Sequence, residues 1–383
     1  MGSIACLLAC ACAVAPAQTP IQAGEAKVAA LLGSLREARG FPGATVGVVT
    51  RDGQSFTVSV GVSDERTGRK LIPTDRMLAG SIGKTFLGAL VLREVEAGRL
   101  SLDQKAAYWL GSQPWFKGIP NAGRITLEQL MHHTSGIPEH VEDPAFVAEA
   151  EAHPDRVWTT PERVAYISGR PPLAPPGERF SYADTNYILL GEIYQEETGR
   201  EFYGDARALL RSLHLEGIIP SDRRRLERLI PGHARPIPPF SQQGPTLVDG
   251  VCRLNPQLEW TGGGFASTAL DLARWALAYF GGDVVSPAMR AKLFEGVKAN
   301  TGPNEQYGLG VQIRETKWGR SYGHGGWFPG YLSEMEYYPD LGLAVAVQFN
   351  TDDGRRIGAR THGVIEQIVG VLAPIPPPER QGG

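Results

Sequence analysis

Apolar residues recur along this chain with two different periods, and these separate a strand-rich frame from a helix-rich middle. Near the start, Glu25 to Arg39 has the pattern of an amphipathic helix that ends at Gly40. The runs Ala44–Thr50 and Ser55–Val60 then flank an Asp-Gly turn, which predicts a hairpin. Near the end we predict three strands and a closing helix, at Tyr307–Arg314, Tyr331–Tyr338, Gly342–Asn350 and roughly Arg356–Val371. Because the turns are short, we expect one antiparallel sheet made from both ends of the chain.

The middle of the chain, about Ile82 to Trp260, has helical patterns separated by proline-rich loops such as Pro171–Gly177. The clearest predicted helices are Thr126–His132, Thr160–Ser168 and Asp184–Thr198. The predicted fold class is therefore α+β. Residues 24–80 and 261–375 would form an α/β domain with the antiparallel sheet, and residues 81–260 a mostly helical domain. A functional site is expected in the cleft between them.

Composition narrows the choice of partner. The chain has 383 residues, of which 42% are hydrophobic and 21% charged, a composition typical of a globular protein. Its net charge of -3 gives no reason to expect binding to nucleic acid or to an anionic membrane surface. We therefore expect a small molecule or a peptide as the partner, and no pattern in the sequence indicates an oligomeric state.

The first 17 residues resemble a secretory leader, since a short apolar run precedes the small-residue pattern Ala15-x-Ala17. Cleavage there would give a periplasmic or secreted protein. Leu7–Cys10 also resembles a bacterial lipobox, so a lipid anchor on Cys10 is the alternative. The apolar run is too short to span a membrane in the mature form. Outside this leader the chain keeps a single cysteine, Cys252, which allows no internal disulfide.

Ser81 is followed three residues later by Lys84, and an apolar run that ends at Gly98 predicts a helix with one buried face. A serine at a helix start lies beside free backbone N–H groups that favour developing negative charge. Lys84 would lie on the same side of the helix, where an ammonium can lower the pKa of the serine or, if desolvated, accept its proton. The same spacing also fits a capping serine and a surface lysine, so the catalytic interpretation depends on whether partner motifs occur elsewhere in the chain.

Two later segments could supply such partners. In Phe180–Tyr187, Asp184 can cap the following helix and hold Tyr182 in the preceding loop, where a phenol near an ammonium can act as a base. In Gly323–Trp327, small residues would let a substrate backbone pair with a strand edge beside His324. Taken singly, the first segment also fits a core tyrosine beside a capped helix, and the second a glycine bend.

Together, the order Ser-x-x-Lys, Tyr-x-Asp, His-x-Gly resembles the penicillin-recognising serine hydrolases. The similar branch contains class C β-lactamases, low-molecular-weight D-alanyl-D-alanine carboxypeptidases and related esterases. Residues 132–138 and 260–268 also resemble segments of this family, and the resemblance runs from about residue 28 to residue 370. It implies a β-lactamase/transpeptidase-like fold, an antiparallel sheet flanked by helices plus a mostly helical domain, with the active site at their junction.

The resemblance also implies a mechanism that needs no metal and no cofactor. Ser81 would be the acyl-accepting nucleophile, Lys84 and Tyr182 would share proton transfer, and water would hydrolyse the acyl-enzyme. The backbone N–H groups of Ser81 and Trp327 would form an oxyanion hole. The substrate-binding residues that it implies are Asp184, His324, Gly326 and Trp327.

Two departures from the family pattern bear on the substrate. Asp184 stands where the family often has Asn, and an ionised carboxylate there would hold Lys84 protonated, making Tyr182 the better base. It would also repel acidic substrates. His324 stands where a lysine is common, and a mostly uncharged histidine is a weaker carboxylate anchor, as in certain DD-peptidases. We predict peptides ending in D-amino acids, of the D-Ala type, or β-lactams as substrates, with small carboxylic esters as the alternative.

Three other interpretations compete with this one. Ala79-Gly80-Ser81-Ile82-Gly83 is one residue away from the Gly-x-Ser-x-Gly of α/β-hydrolases, with Asp271 and His324 as partners, but that fold needs a doubly wound parallel sheet. A penicillin-binding sensor that acylates without turnover would keep the same fold. A metal enzyme has little support, because adjacent histidines at 132 and 133 lack ligand spacing.

Overall fold

A computed structural model of the protein describes residues 20–282, 284–300, 302 and 305–373. The predicted leader and its lipobox cysteine lie outside these residues. The α-helices of the described part are Pro20–Arg39 (α1), Lys84–Glu96 (α2), Ala107–Leu110 (α3), Leu127–Met131 (α4), Pro144–Ala152 (α5), Thr160–Val164 (α6), Asp184–Thr198 (α7), Phe202–Ser212 (α8), Ala269–Ala276 (α9), Pro287–Leu293 (α10), Gly354–Ile357 (α11) and Thr361–Leu372 (α12).

The strands come mainly from the two ends of the described chain. They are Gly43–Thr50 (β1), Ser55–Asp64 (β2), Arg69–Lys70 (β3), Met77–Leu78 (β4), Ile219–Pro220 (β5), His233–Ala234 (β6), Gly244–Pro245 (β7), Leu247–Val248 (β8), Val251–Cys252 (β9), Phe265–Ser267 (β10), Val297–Lys298 (β11), Gln306–Tyr307 (β12), Gln312–Thr316 (β13), Gly319–Phe328 (β14), Tyr331–Tyr338 (β15) and Leu343–Phe349 (β16).

The main sheet joins both ends of the chain, as the sequence predicts. Within the described residues its order is β11-β12-β13-β14-β15-β16-β1-β2-β3, and each of these pairs is antiparallel. The join lies between β1 and β16, where Val46 faces Val347 in register. This order excludes the doubly wound parallel sheet that the α/β-hydrolase interpretation requires. Asp271, which that interpretation needs, instead accepts a hydrogen bond from the Gly217 N–H at 2.7 Å.

Helices cover both faces of this sheet because successive side chains of a strand point to opposite faces. On β16, Val345 and Val347 pack with residues of α1 and α12, whereas Ala344 and Ala346 pack into the larger core with α9. Every side chain of β16 is buried. The sequence prediction of an antiparallel sheet flanked by helices is confirmed.

Helix α2, which carries Lys84, lies inside the larger core rather than at its surface. The sequence predicts one buried face, but every residue from Lys84 to Leu92 is buried. Phe86 packs against the rings of Phe265 and Trp275, with centroids 4.5 and 4.8 Å apart. A helix that is apolar on all sides belongs in a core. The start of α2 is therefore held rigidly, which matters for the serine that precedes it.

Two other elements differ from their predicted form. The run Tyr307–Arg314 is not one strand but the hairpin β12–β13, because the Gly308 N–H bonds the Val311 carbonyl at 2.8 Å and turns the chain. The closing helix begins at Thr361, after the separate short helix α11.

The remaining expectations for the fold concern domain boundaries and membranes. The domain boundaries at residues 80/81 and 260/261 stay a prediction. Among the helices of the described residues, none combines the length and the apolar character needed to cross a bilayer.

Candidate active site

Ser81 lies in a tight turn, Gly80–Gly83, that leads directly into α2. The sequence places the serine at the start of the helix, and the structure puts it one turn before, since the α-helix begins at Lys84. The turn is fixed from within, because the Thr85 hydroxyl donates to the Ile82 carbonyl at 2.7 Å and accepts from the Trp275 indole at 2.8 Å. Its neighbours are buried while Ser81 is partly exposed. The hydroxyl is thus presented from a rigid base.

Strand β14 packs directly on this turn through two glycines. Gly80 has a φ of +56°, and a Cβ built there would lie 2.6 Å from the Trp327 nitrogen. A Cβ on Gly326 would lie 1.8 Å from the Ala79 carbonyl oxygen. Only glycine fits at either position, and the close contact brings the backbone of Trp327 beside Ser81.

Lys84 is fully buried and directs its ammonium to three acceptors. Its Nζ lies 3.0 Å from the Ser81 Oγ and 2.5 Å from the Gly262 carbonyl oxygen, and it forms an ion pair with Asp184. Burial alone would lower the pKa of Lys84, but the carboxylate of Asp184 and the phenol of Tyr182 outweigh this and raise it above its ordinary value. Lys84 is therefore an ammonium at neutral pH, with no lone pair available to accept a proton.

Tyr182 completes the group around the serine. Its ring lies 4.2 Å from that of His133, and the Lys84 ammonium lies 4.9 Å from the ring centroid. Within the described residues the Tyr182 hydroxyl is buried and has no partner at hydrogen-bond geometry. Burial raises the pKa of Tyr182 to about 12, against the opposing effect of Lys84. It is a phenol in the resting site, close enough to Lys84 and Ser81 for both to lower its pKa against the effect of burial.

Asp184 is the first residue of α7, and its role at the helix start differs from the predicted one. The sequence suggests that its side chain caps the helix, but the carboxylate turns to Lys84 instead. The Asp184 N–H donates to the Glu139 carboxylate, which also accepts from the Val141 N–H at 3.1 Å. The capping charge therefore comes from Glu139. Burial raises the pKa of Asp184, and the Lys84 ammonium counteracts this rise.

A chain of hydrogen bonds among aromatic side chains runs behind Tyr182. The Ala183 N–H donates to His133 Nδ1 at 3.2 Å, and His133 Nε2 lies 3.2 Å from the Tyr307 hydroxyl. That hydroxyl lies 2.8 Å from His324 Nε2, and His324 Nδ1 lies 2.6 Å from the Gly325 carbonyl. A carbonyl only accepts, so the proton of His324 is on Nδ1, Tyr307 donates to its Nε2, and His133 donates to Tyr307. One set of neutral tautomers satisfies the whole chain.

His324 is consequently not placed as the sequence suggests. Its ring is 1% exposed, both nitrogens bond to the protein, and it is absent from the residues that line the cavity at Ser81. Burial and the nearby Lys84 ammonium lower the pKa of His324 to about 3. An uncharged ring with both nitrogens occupied has nothing to offer a substrate carboxylate, so the expectation of a carboxylate anchor at this position is not met.

Ser81 opens into a cavity of about 330 Å³. Its apolar lining residues are Val141, Phe240, Leu258, Trp327, Phe328 and Pro329. Its polar lining residues are Ser81, Glu139, Glu142, Tyr182, Asp184 and Glu259. In the described residues β13 pairs with β14 only as far as Gly323, and beyond it the Gly325 N–H donates to the Gln312 side chain at 2.9 Å instead of to a strand. Trp327 is thus brought to the cavity, and Gly326 packs on the serine turn instead.

The sequence motifs do not include three acidic residues of this cavity, Glu139, Glu142 and Glu259. Glu139 stands 45 residues before Asp184, and only folding brings the two together. Glu259 precedes the Trp260–Thr268 segment that resembles the family, yet the glutamate itself matches no motif. No local pattern marks either residue, because each acts through contacts between distant parts of the chain.

Comparisons with known proteins agree with this geometry. A family model described as beta-lactamase matches residues 28–368. The chain is 26% identical over 290 residues to penicillin-binding protein 4* of Bacillus subtilis, covering 72% of this chain and 61% of that protein. It is 25% identical over 366 residues to penicillin-binding protein 4 of Amycolatopsis lactamdurans, covering 90% of each. The match to the Bacillus protein thus spans less than two thirds of that protein's length.

Among solved structures, a D-stereospecific amidohydrolase from Streptomyces superposes with a TM-score of 0.73 and 28% identity. The superposition covers 89% of this chain and 98% of that one. The family model, which spans most of the chain, and the shared fold lead to one conclusion: this protein belongs to the β-lactamase family and is a serine hydrolase.

Proposed function

We propose that the protein hydrolyses its substrate through an acyl-enzyme on Ser81. The observation that carries this proposal is the position of the Ser81 hydroxyl. It lies on the wall of a cavity, 3.0 Å from a buried ammonium and beside a phenol without a hydrogen-bond partner in the described residues. A nucleophile, a fixed positive charge and a proton acceptor are the parts that acyl transfer to serine requires.

In this proposal Tyr182 is the base, because Lys84 holds its proton and donates to three acceptors. The phenolate form of Tyr182 removes the Ser81 proton as Oγ attacks the carbonyl carbon, and the phenol then protonates the leaving group. In the second half, the Tyr182 phenolate removes a proton from water, which attacks the ester carbonyl, and the phenol then returns this proton to the departing Ser81 Oγ as the acid is released. The Lys84 ammonium stabilises the phenolate and the developing alkoxide throughout.

The oxyanion of the tetrahedral intermediate would be bound by the backbone N–H groups of Ser81 and Trp327. The packing of Gly80 against Gly326 supports this pair, since it holds the Trp327 backbone against the serine turn. Removing one donor of this kind commonly slows acyl transfer about 10²–10³-fold.

For the substrate we propose an amide or peptide that contains a D-amino acid, such as D-Ala peptides, or a β-lactam. The name of the Streptomyces amidohydrolase, which is 28% identical, supports the D-stereospecific amide. The neutral, occupied His324 favours acyl groups that need no carboxylate anchor, and this supports small carboxylic esters as the second candidate.

We further propose that the mature protein acts in the periplasm or outside the cell, released at Ala17 or lipid-anchored at Cys10. The small-residue pattern and the lipobox-like run in the sequence support this. We keep the division into an α/β domain and a helical domain as part of the same proposal.

The test is intact-mass spectrometry after incubation with a fluorophosphonate, a penicillin and an activated ester, comparing the wild type with Ser81→Ala. We expect an adduct of one molecule per chain that Ser81→Ala loses, with turnover lowered by about 10⁴-fold or more. The exposed Ser34→Ala serves as the matched control and should label like the wild type.

A persistent β-lactam adduct without turnover would indicate the penicillin-binding sensor instead of a hydrolase. An adduct that survives Ser81→Ala, or no adduct from any of the three reagents, would overturn the proposal.

A further inference from the structure

Among the described residues, the charged side chains that line the cavity at Ser81 are all carboxylates. Its charged lining residues are Glu139, Glu142, Asp184 and Glu259, and no Lys, Arg or His of the described residues lines it. The nearest ammonium, Lys84, is buried beneath the serine and already has three acceptors. A substrate carboxylate close to the scissile bond would therefore meet like charges.

Two of these four carboxylates are already satisfied within the protein. Glu139 accepts from backbone N–H groups, including that of Val141, and also contacts His140 Nδ1 at 3.1 Å. Asp184 pairs with Lys84. Their charges are used in holding the start of α7 and the ammonium, which leaves Glu142 and Glu259 to face a ligand.

Glu259 is the unusual member of the set. Its side chain is only 8% exposed, it lines the cavity, and its Oε2 has no hydrogen-bond partner in the described residues. A Cβ on Gly263 would lie 2.4 Å from the Glu259 Oε1 and 2.9 Å from the Gly80 carbonyl carbon, so the carboxylate lies next to the serine turn. A buried carboxyl oxygen without a partner is costly and is rarely retained without a reason.

The groups around Glu259 shift the pKa of its carboxyl group. Burial and the nearby Asp184 carboxylate raise the pKa of Glu259 well above its ordinary value, against the opposing effect of Lys84. Burial therefore favours the neutral acid form of Glu259. A cation bound beside it would favour the carboxylate and release one proton to solvent.

The apolar lining residues indicate the chemistry of the remaining part of the ligand. Phe240 and Trp327 form a T-shaped pair with ring centroids 5.4 Å apart, and Leu258 and Phe328 extend the same apolar surface. A ligand that suits both kinds of lining residue carries a positive charge and an apolar side chain.

We propose that the acyl part of the substrate carries a free α-ammonium group, bound by Glu259 with Glu142 at the cavity mouth, and an apolar side chain against Phe240 and Trp327. This rests on the proposed acyl-enzyme function and specifies its substrate class. The enzyme would cleave the amide or ester bond that follows an unblocked amino-terminal residue, rather than one that precedes a free carboxylate.

The test compares D-phenylalanine p-nitroanilide with its N-acetyl derivative, in which a neutral amide replaces the ammonium group. We expect kcat/KM to be about 100-fold higher for the free amine, the size of one charge-assisted hydrogen bond. Glu259→Gln should reduce this ratio about tenfold or more, because a neutral amide replaces the ionisable acid. The exposed Glu37→Gln, far from the cavity, should keep the wild-type ratio.

Labelling of Ser81 by an uncharged fluorophosphonate separates the two proposals and shows that each variant is folded. If labelling depends on Ser81 but the acetylated substrate reacts equally well or faster, the substrate class is wrong and the acyl-enzyme stands. If Glu259→Gln slows both substrates to the same extent, the ammonium assignment is wrong. If Ser81 is not labelled, both proposals fall.

Discussion

Two buried clusters of charged side chains differ in how completely their hydrogen bonds are satisfied. In the first, around Arg314, the guanidinium donates to Glu305, Glu334 and Glu336 at 2.8 to 3.0 Å and to Gln312 at 2.8 Å. In the second, around Ser81, a buried Lys84 pairs with Asp184. The hydroxyl of Tyr182 and one oxygen of Glu259 have no partner in the described part of the chain.

The difference indicates which cluster supports the sheet and which awaits a ligand. A buried cation that donates to several protein acceptors contributes to a fixed structure, and its removal leaves other charges unpaired. A buried polar atom without a partner lowers stability, and where it lies in a cavity beside a nucleophile a bound substrate can complete it. By this criterion the Arg314 cluster is structural and the Ser81 cavity is a site.

The largest effect is expected on the stability of the Arg314→Met variant. We expect this variant to lose about 3–5 kcal/mol of unfolding free energy, because it leaves two or more buried carboxylates without a cation. Urea titration measures the change. The control is Arg320→Met, whose ion pair with Glu315 is more than half exposed on both sides and should contribute less than about 1 kcal/mol. Equal losses in the two variants would contradict a structural role for the Arg314 cluster.

For the Ser81 cavity the informative variant is Tyr182→Phe, which should lower kcat/KM while changing the stability little. Since burial raises the pKa of Tyr182 to about 12, the phenolate fraction and kcat/KM should rise about tenfold per pH unit from pH 7 to 9. The variant should lose this slope and about 10²–10³-fold of kcat/KM at pH 8. Tyr108→Phe, at a position that is 71% exposed, is the control. A variant that keeps the wild-type slope would exclude Tyr182 as the base.

A smaller effect is expected on acid stability through His324. Its folded pKa of about 3 lies below the ordinary value of 6.5, so the unfolded chain binds more protons between these values and stability falls as the pH falls. From pH 7 to 5 this group should account for about 2 kcal/mol of unfolding free energy.

The measurement is the difference between the wild type and His324→Gln in urea titrations at pH 7 and pH 5. The variant should lose less stability on acidification than the wild type, whereas His153→Gln, at an exposed position, should not differ from it. An unchanged pH dependence in His324→Gln would show that the ring is charged or accessible in the folded protein.

Several helices and strands can be predicted from the local pattern of apolar and turn-forming residues. Helix Asp184–Thr198 has the predicted bounds, and the first hairpin forms around its predicted Asp-Gly turn. Both features depend on neighbours in sequence, namely apolar periodicity and turn residues. Each of the three motifs also places at least one residue on the cavity: Ser81 from the first, Tyr182 and Asp184 from the second, and Trp327 from the third.

The parts that sequence did not predict depend on distant contacts. The ring nitrogens of His324 are occupied because Tyr307 reaches one of them across the β12–β14 region, and nothing near residue 324 indicates this. The run Tyr307–Arg314 alternates like a strand, but the glycines at 308 and 310 permit a turn that periodicity alone does not reveal. The burial of Glu259 likewise depends on where the Gly80–Gly83 turn lies.

The contact between Gly80 and strand β14 has a consequence for how variants of this enzyme would be interpreted. Neither Gly80 nor Gly326 has a functional group, yet any side chain at either position would push the strand away from the serine turn. In a library selected for activity, these two positions would therefore tolerate as little substitution as Ser81 itself. Intolerance to substitution at these positions would reflect the short distance between the two backbones and not a chemical role of the residues. Substitutions intended to change substrate specificity should therefore be made at the residues that line the cavity.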